Sequence, residues 1–228
     1  MTRAKILAFD TSHTACSVAL TDGQKVYLSH EIVPMQQTRL ILPTIDKLLH
    51  DAHLSLKELD AIAYGCGPGS FTGIRIASSV AQGISFGSKL PVIRISSLAA
   101  LAQSAYNKQQ WSRIFVAVDA RVQKIYWAVY TADQQGHVRL EGVETVCAPD
   151  KIVLATQQQG VGVGDGWEKY GESMTKHLGF SPLAIDAQQI PSADALLILA
   201  QEKFAKKEWS LPHEALPIYL SEFGGSVC

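Results

Sequence analysis

The residues best suited to chemistry form a glycine-rich run. In Gly65-Cys66-Gly67-Pro68-Gly69-Ser70-Phe71, alternate glycines follow an apolar segment, and such glycines permit a tight turn with positive φ. Ser70 is suited to cap the next helix. The backbone N–H groups at that helix start could hold an anion, contacted by Gly67, Gly69 and Ser70. No Gly-Lys-Ser/Thr follows, which excludes a Walker loop. A structural strand-to-helix turn is the favoured alternative.

Two carboxylates, Asp10 and Asp119, end predicted central strands. Strand-end carboxylates orient metals or phosphate-bound water in some enzymes, and they also commonly cap turns. The residues after Asp10, Thr11-Ser12, lack the glycine that a phosphate-binding loop needs at this point. We therefore favour a structural role for Asp10 over a catalytic one.

Three further features have both a chemical and a structural interpretation. His50 and His53 could bind a metal from neighbouring helical turns, but they also suit a helix C-terminus, and no third ligand is nearby. The run from Gly160 to Gly166 fails the dinucleotide pattern because Asp165 stands where its last glycine belongs, so a strand edge and turn is favoured. Cys66 has no base positioned for it and is predicted to be a buried thiol.

Composition limits the class of protein. The chain has 228 residues, 47% of them hydrophobic, and a net charge of -1, so it lacks the basic surplus that autonomous nucleic-acid binders use. No apolar run approaches the roughly 18 residues of a membrane span, and the apolar start is too short for a secretory signal. We expect a cytoplasmic protein, because the cysteines are widely spaced: Cys16, Cys66, Cys147 and Cys228.

A weak internal repeat predicts the fold class. The apolar segments at 6–10, 15–20 and 25–32, with a turn at Asp22-Gly23, recur as 115–119, 125–130 and a turn at 133–136. Each copy is interpreted as a three-stranded meander followed by helices, which indicates an α/β fold with a mixed sheet in each half. One constant offset relates Asp10 to Asp119, Ala19 to Ala128 and Leu20 to Val129. We place the boundary near residue 108, giving domains 1–108 and 109–228.

Five helices are predicted, at 40–52, 71–86, 97–106, 167–178 and 193–206, the last with Ser192 as N-cap. The first has one apolar face, with Pro43 expected in its first turn or at a kink; the residues of that face are Ile41, Ile45, Leu48, Leu49 and Ala52. The second has two neighbouring stripes. The stripe of small residues consists of Gly73, Ala77, Ala81 and Ser85, and the apolar stripe consists of Ile76, Val80 and Ile84. A helix apolar on more than one face is either deeply buried or shared with a partner. Burial is the more frequent case.

The chain resembles the TsaB (formerly YeaZ) family of bacterial tRNA threonylcarbamoyladenosine proteins. The residues that carry the resemblance begin with Gly67-Pro68-Gly69-Ser70-Phe71-Thr72-Gly73-Ile74-Arg75-Ile76. Further matches span nearly the whole chain: ILAFDTSHTACSVAL at 6–20, residues 38–43, residues 91–101, Ala117 to Arg121 with Tyr126-Trp127, and Pro217-Ile218-Tyr219-Leu220.

The resemblance implies an actin-like fold of two related lobes and a non-catalytic subunit. Its implied partners are TsaD, the larger catalytic paralogue, and TsaE, an ATPase. Together they would transfer threonylcarbamoyl to N6 of the tRNA adenosine 3′ of the anticodon. ATP and metal are expected on the partner subunits rather than on this chain, and tRNA contact is expected indirectly through the complex.

The resemblance also implies the docking surface. Helices 40–52 and 71–86 would contact TsaD, and the same surface would form a homodimer when TsaD is absent. The implied contact residues are Ile41, Ile45, Leu48, Leu49, Gly73, Ile76, Ala77, Val80, Ala81 and Ile84.

The sequence departs from the family at two places. Gln37 stands where the family often has His, and the tail at 221–228 lacks the usual basic residues. The H-x-x-x-H pattern of the catalytic paralogue is absent, which fits a subunit that binds no metal. The alternative functions are an ATP-dependent small-molecule kinase and an M22-type peptidase-like enzyme.

Overall fold

The first sheet is mixed. In the computed structural model, which describes residues 3–220 and the backbone of 226 and 227, its strand order is β3-β2-β1-β4-β5. Neighbours β1, β2 and β3 are antiparallel, whereas β1, β4 and β5 are parallel. The strands are β1 (Ile6–Asp10), β2 (Ala15–Thr21), β3 (Val26–Ile32), β4 (Ala61–Gly65) and β5 (Val92–Ile95).

The second sheet repeats this topology, with order β10-β9-β6-β7-β8. An antiparallel meander again lies on one side of the first strand and parallel strands on the other. The predicted duplication of a meander followed by helices is therefore confirmed. The strands are β6 (Arg113–Arg121), β7 (Lys124–Ala132), β8 (Val138–Cys147), β9 (Val161–Val163) and β10 (Ile185–Asp186), and a separate pair comprises β11 (Tyr219–Leu220) and β12 (Ser226–Val227).

The predicted constant offset between the repeats is wrong by one residue in the second strand. Asp10 lies opposite Ser17 in the first hairpin, whereas Asp119 lies opposite Ile125 in the second. The second hairpin is shorter because it closes through a two-residue turn with a register shift between Asp119 and Arg121. Ala19 therefore corresponds to Trp127 rather than to Ala128.

The five predicted helices are present. Their bounds are α1 (Gln37–Asp51), α2 (Phe71–Ser88), α3 (Ser97–Gln109), α4 (Gly166–Leu178) and α5 (Ala193–Ala205). α1 begins three residues earlier than predicted, so Pro43 lies in its second turn rather than its first. Ser192 is the N-cap residue of α5, but its hydroxyl donates to Asp194, and the Ala193 N–H instead donates to Ser17 Oγ (2.8 Å).

α5 covers one face of the first sheet, opposite α1 and α2. Leu7 and Phe9 belong to the apolar cluster built on α1 and α2, and side chains alternate along a strand. Ile6 and Ala8 therefore point to the other face, where α5 contacts β1, and β1 is buried throughout. Both faces of the strand are thus covered.

The contacts divide the chain differently from the predicted boundary at residue 108. Residues up to Ala100 group with Pro191–Ile218, and Leu101–Ile190 form the second unit with the strand pair β11 and β12. The difference arises because the C-terminal segment returns to the first sheet: besides α5, Ser210 pairs with Val92 at the edge of β5. None of the described helices is long and apolar enough to cross a membrane.

The glycine run at 160–166 is structural, as favoured from the sequence. A Cβ on Gly162 would lie 2.7 Å from the Trp167 ring. Trp167 packs against Trp127 at 6.1 Å between ring centroids and donates from Nε1 to the Phe115 carbonyl (2.8 Å). The missing side chain therefore makes room for the aromatic core of the second unit.

The start of α2 lies against the loop between β1 and β2. Thr11 Oγ1 donates to the Gly73 carbonyl (2.7 Å), and a Cβ added at Gly73 would lie only 2.0 Å from the Thr11 carbonyl oxygen. Gly83, further along the same helix, has no heavy atom within 4 Å of its added Cβ. The two glycines therefore have opposite environments.

We predict opposite effects of alanine at these positions. Gly83→Ala should raise the free energy of unfolding by about 0.5–1 kcal/mol, because alanine has less backbone entropy to lose in a helix. Gly73→Ala should lower it by about 1–3 kcal/mol, since the backbone must move to admit the methyl group. Urea denaturation of both variants measures this. Equal effects would contradict the close approach.

The turn between β7 and β8 is held by Asp133. Its carboxylate accepts from the backbone N–H groups of Gln135 (2.8 Å) and His137 (3.0 Å) and from the Arg139 guanidinium (2.6 Å). Desolvation raises the pKa of Asp133, but the hydrogen bonds from His137, Arg139 and Gln135 together outweigh it and lower the pKa to about 2. The charged form of Asp133 therefore stabilises the folded chain.

We predict a pH-dependent cost for Asp133→Asn. Because the pKa is lower in the folded chain than in the unfolded chain, the stabilisation is complete above about pH 4 and disappears as the pH falls through about 2. The difference in unfolding free energy between wild type and variant should shrink across that window in denaturant titrations. Asp46→Asn, at an exposed position on α1, is the control. A difference independent of pH would contradict the assignment.

Candidate functional site

The inward faces of α1 and α2 form the chain's own core. On α1, Ile41 and Ile45 are 1% and 3% exposed, and Leu48 and Leu49 are also buried. On α2 the small-residue stripe is buried as well, with Gly73 against the β1–β2 loop. These residues pack on the first sheet around Leu7, Phe9, Val18 and Leu20.

The expected contact residues stay a prediction, and they differ in burial. Seven of them have almost no exposed area and so offer little surface to a partner: Ile41, Ile45, Leu48, Leu49, Gly73, Ala77 and Ala81. Ile76, Val80 and Ile84 are only partly buried. Of the ten, Ile41, Ile76 and Val80 line the groove between the two helices.

The outward faces of the same two helices are open and apolar. Phe71 is 59% exposed and Leu42 is 54% exposed. Between the helices lies a groove of about 470 Å³. Its lining consists of Thr38, Ile41, Leu42, Phe71, Thr72, Arg75, Ile76, Ser79 and Val80. The groove can therefore accept apolar side chains from another protein.

Arg75 contributes the one charged side chain among the lining residues of the groove. Its guanidinium carbon lies 3.6 Å from the centroid of the Phe71 ring. Such stacking holds a cation over an aromatic face and still exposes the apolar ring edge. The groove thus combines an aromatic anchor with a fixed positive charge.

Gln37 lies at the start of α1 and is buried. Its Nε2 donates to the His13 carbonyl (2.9 Å), which ties the helix start to the β1–β2 loop. Gln37 is thus a structural link between the start of α1 and the β1–β2 loop.

The glycine loop is filled by the chain's own backbone. The Ser70 N–H donates to the Ser12 carbonyl (2.8 Å), and a Cβ on Gly69 would lie 2.6 Å from the same oxygen. Ser70 Oγ accepts weakly from the Gly73 N–H (3.4 Å), as predicted for an N-cap. Gly67 has φ of +103°, which glycine adopts without strain. This geometry favours the structural interpretation over anion contact by Gly67, Gly69 and Ser70.

Asp10 is enclosed by the same loop. One carboxylate oxygen accepts from the Ser12 backbone N–H (2.8 Å) and hydroxyl (2.6 Å), and the other accepts from the Ser97 hydroxyl (2.9 Å). Asp10 is 2% exposed, and a Cβ on Gly65 would lie 1.8 Å from its carboxylate. Both oxygens are therefore engaged in holding the loop.

Asp119, the counterpart in the second unit, is more open. It forms an ion pair with Lys169 (2.9 Å) and accepts from the Arg121 N–H (3.1 Å). These contacts join the end of β6 to α4 and to the adjacent hairpin. The two strand-end carboxylates thus both hold turns.

The histidine pair at the end of α1 is not joined by further ligands. His50 and His53 have ring centroids 6.5 Å apart, and His50 Nδ1 lies 3.7 Å from Asp51. Within residues 3–220, no group of three or more His, Cys, Asp and Glu side chains is placed to share a metal.

The buried cysteines are poorly suited to nucleophilic chemistry. Cys66 is 1% exposed and its Sγ lies 3.2 Å from the Ile95 carbonyl. Burial, together with the charges of Glu31 and Asp10, raises the pKa of the Cys16 thiol to about 11. Neither thiol is both accessible and easily ionised.

Phe71, Leu42 and Arg75 are the large groove residues that were absent from the contact residues expected from the sequence. The stripe of small residues on α2 predicted that another element packs closely against this helix, but it did not identify that element. Phe71 begins the helix and lies off both stripes, and Leu42 follows the inward Ile41. Large apolar residues outside the buried face were the signal that could have identified the groove.

Comparisons with known proteins point to the formation of threonylcarbamoyladenosine in tRNA. Residues 31–219 match the family model described as TsaD, tRNA N6-adenosine threonylcarbamoyltransferase. The tRNA threonylcarbamoyladenosine biosynthesis protein TsaB of Escherichia coli K12 is 37% identical, covering 95% of this chain and 94% of that protein. The Haemophilus influenzae protein of the same name is also 37% identical, covering 96% and 94%.

A solved structure has the same fold. The structure described as YeaZ from Pseudomonas aeruginosa is 40% identical and superposes with a TM-score of 0.90, covering 95% of this chain and all of that one. With two related lobes, each built on a mixed sheet, the expected actin-like fold is confirmed. The chain thus belongs to the TsaB (YeaZ) family of tRNA threonylcarbamoyladenosine biosynthesis proteins.

Proposed function

We propose that this chain is a non-catalytic subunit required for threonylcarbamoyl transfer to N6 of the tRNA adenosine 3′ of the anticodon. It docks on a TsaD-type catalytic partner, and TsaE joins them. The observation that carries the docking is the open apolar groove between α1 and α2, with Phe71 and Leu42 at its surface. Apolar patches with an aromatic anchor are typical of protein interfaces.

The match to the TsaD family model supports this choice of partner. The match includes α1 and α2, so a TsaD protein is related to this chain over the elements that form the groove. Related surfaces can pair about an approximate twofold axis, as identical surfaces do in homodimers. The same argument allows this chain to pair with itself through α1 and α2 when TsaD is absent.

The burial of Asp10 supports a subunit that catalyses no reaction at this position. A catalytic carboxylate must reach substrate, metal or water, whereas Asp10 is buried and hydrogen-bonded through both oxygens. This disfavours the kinase alternative. A related Pseudomonas aeruginosa structure is described as similar to peptidase YEAZ, but the buried thiols Cys16 and Cys66 do not supply a nucleophile for that reaction.

The proposal assigns ATP and metal to the partner subunits and places the complex in the cytoplasm. It also assigns most tRNA contact to the partners, because this chain has a net charge of -1 and so lacks a basic surplus for phosphate binding.

The first test is reconstitution. A mixture of TsaD, TsaE, this chain, ATP, a threonylcarbamoyl-adenylate source and tRNA should form threonylcarbamoyladenosine, measured by mass spectrometry of digested tRNA. Leaving out this chain should reduce the product to background, and this chain alone should form none. Undiminished product without the chain would overturn the proposal. Product from the chain alone would revive the enzymatic alternative.

The second test separates the two faces of the helices. Phe71→Glu and Leu42→Glu should leave the thermal unfolding temperature nearly unchanged and weaken TsaD binding at least tenfold, about 1.4 kcal/mol, because a charge is buried at the contact. Ala77→Glu should instead unfold the chain, since Ala77 is fully buried.

Calorimetry with TsaD and circular dichroism supply these measurements. Leu183→Glu, at a 68% exposed apolar position in the second unit, is the matched control and should bind normally. Folded groove variants that bind TsaD as wild type does would place the interface elsewhere.

A further inference from the structure

β3 is an edge strand of the first sheet, and half of its backbone faces outward. It pairs with β2 on one side only. The Val33 N–H donates to the Thr14 carbonyl (2.9 Å), directly beyond the pair formed by Ala15 and Ile32. Because hydrogen-bonded pairs alternate along an antiparallel ladder, odd-numbered residues of β3 bond to β2. The N–H and C=O groups of the even-numbered residues therefore point away from the sheet.

The same outward-bonding residues carry exposed apolar side chains. Val26 is 45% exposed, Leu28 is 46% and Ile32 is 68%. They share a face with His30, whose Nδ1 lies 2.9 Å from Ser17 Oγ, next to the start of α5. A strand edge with unpaired backbone groups and exposed branched side chains is a template for pairing with another strand.

We propose that β3 pairs with β3 of a second copy of this chain, antiparallel and centred on Ser29. This register places Val26 opposite Ile32 of the second copy and Leu28 opposite its His30. All the outward-facing residues of both strands, from 26 to 32, then form hydrogen-bonded pairs. Centring on Leu28 or His30 would leave a terminal outward residue without an opposite strand residue, so the Ser29 register uses the edge most fully.

The side chains also suit this register. On one face, Val26 meets Ile32 of the second copy twice, once on each side of the twofold axis, and such cross-strand pairs stabilise sheets. On the other face, Lys25 lies diagonal to Glu31 of the second copy, so opposite charges come within reach. The strand is thus complementary to itself in both apolar contact and charge.

This surface is separate from the groove between α1 and α2. The groove is lined by residues of those two helices, whereas the proposed contact uses the strand edge. A pair of chains joined at β3 therefore leaves each groove open for a catalytic partner. The inference does not depend on the proposed function.

Ser29→Cys tests the register on the full chain. In this register, Ser29 of one copy lies opposite Ser29 of the second copy across the twofold axis. The two residues form a non-hydrogen-bonded pair, in which the Cα atoms are about 4.5 Å apart, within the range for a disulfide. Mild oxidation should give a covalent dimer on non-reducing gels, well above the background from the native cysteines. Glu31→Cys, opposite Tyr27 in this register, should stay at that background. Equal cross-linking of both variants or of neither would overturn the register.

Leu28→Pro tests the strand pairing itself. Proline removes an N–H that points away from β2, so it is tolerated within the chain but interrupts the new ladder. In light scattering at high concentration, Phe71→Glu, which removes pairing through α1 and α2, should still be a dimer. The double variant Phe71→Glu with Leu28→Pro should be a monomer with the unfolding temperature of Phe71→Glu. A monomeric Phe71→Glu would overturn the proposal, because all self-association would then lie in the helices. A double variant that stays a dimer would overturn it as well.

Discussion

The close approach of α2 to the β1–β2 loop is the constraint on which the site depends. Gly69 and Gly73 leave no room for side chains because the backbone of Ser12 and Thr11 occupies that space. The approach seals Asp10 beneath the loop and fixes where α2 lies on the sheet. With α2 fixed, its outer face stands beside α1 and the groove between them follows.

A single helix therefore has two separate roles. Small residues face the sheet, since Ala77 and Ala81 have no exposed area, and they let the helix axis lie close to β4 and β1. Phe71 and Arg75 face outward and give the surface its shape and charge. Packing inside the chain and docking outside it use different residues of α2, so each can change without the other. The packing against the β1–β2 loop uses the inward residues, and the groove uses the outward ones.

The architecture could be predicted from the sequence better than the contact residues could. Strand and helix periods and the repeated strand ending in Asp10 and Asp119 were local signals, and the topology followed from them. The repeat offset failed because a one-residue difference in a hairpin leaves the hydrophobic pattern of both strands intact. The expected contact residues depended on a different signal. A stripe such as Gly73, Ala77 and Ala81 indicates a close neighbour, but only the fold shows that this neighbour is the chain's own sheet.

The tail at 221–228, which departs from the family in sequence, lies outside the residues whose side chains the structure describes. The expected boundary near residue 108 also depended on local signals. It overlooked α5, because sequence order carries no indication that a distant helix returns to the first sheet.

That return has a consequence during protein synthesis. The first sheet receives its second covering layer only from α5, beginning at Ala193, long after β1 has left the ribosome. Until then the Ile6 and Ala8 side of β1 lacks its cover, while Leu101–Ile190 can already fold as a compact intervening unit. The nascent chain thus carries an apolar sheet face that closes only after α5 has been synthesised, and this interval is when chaperone binding would protect it most.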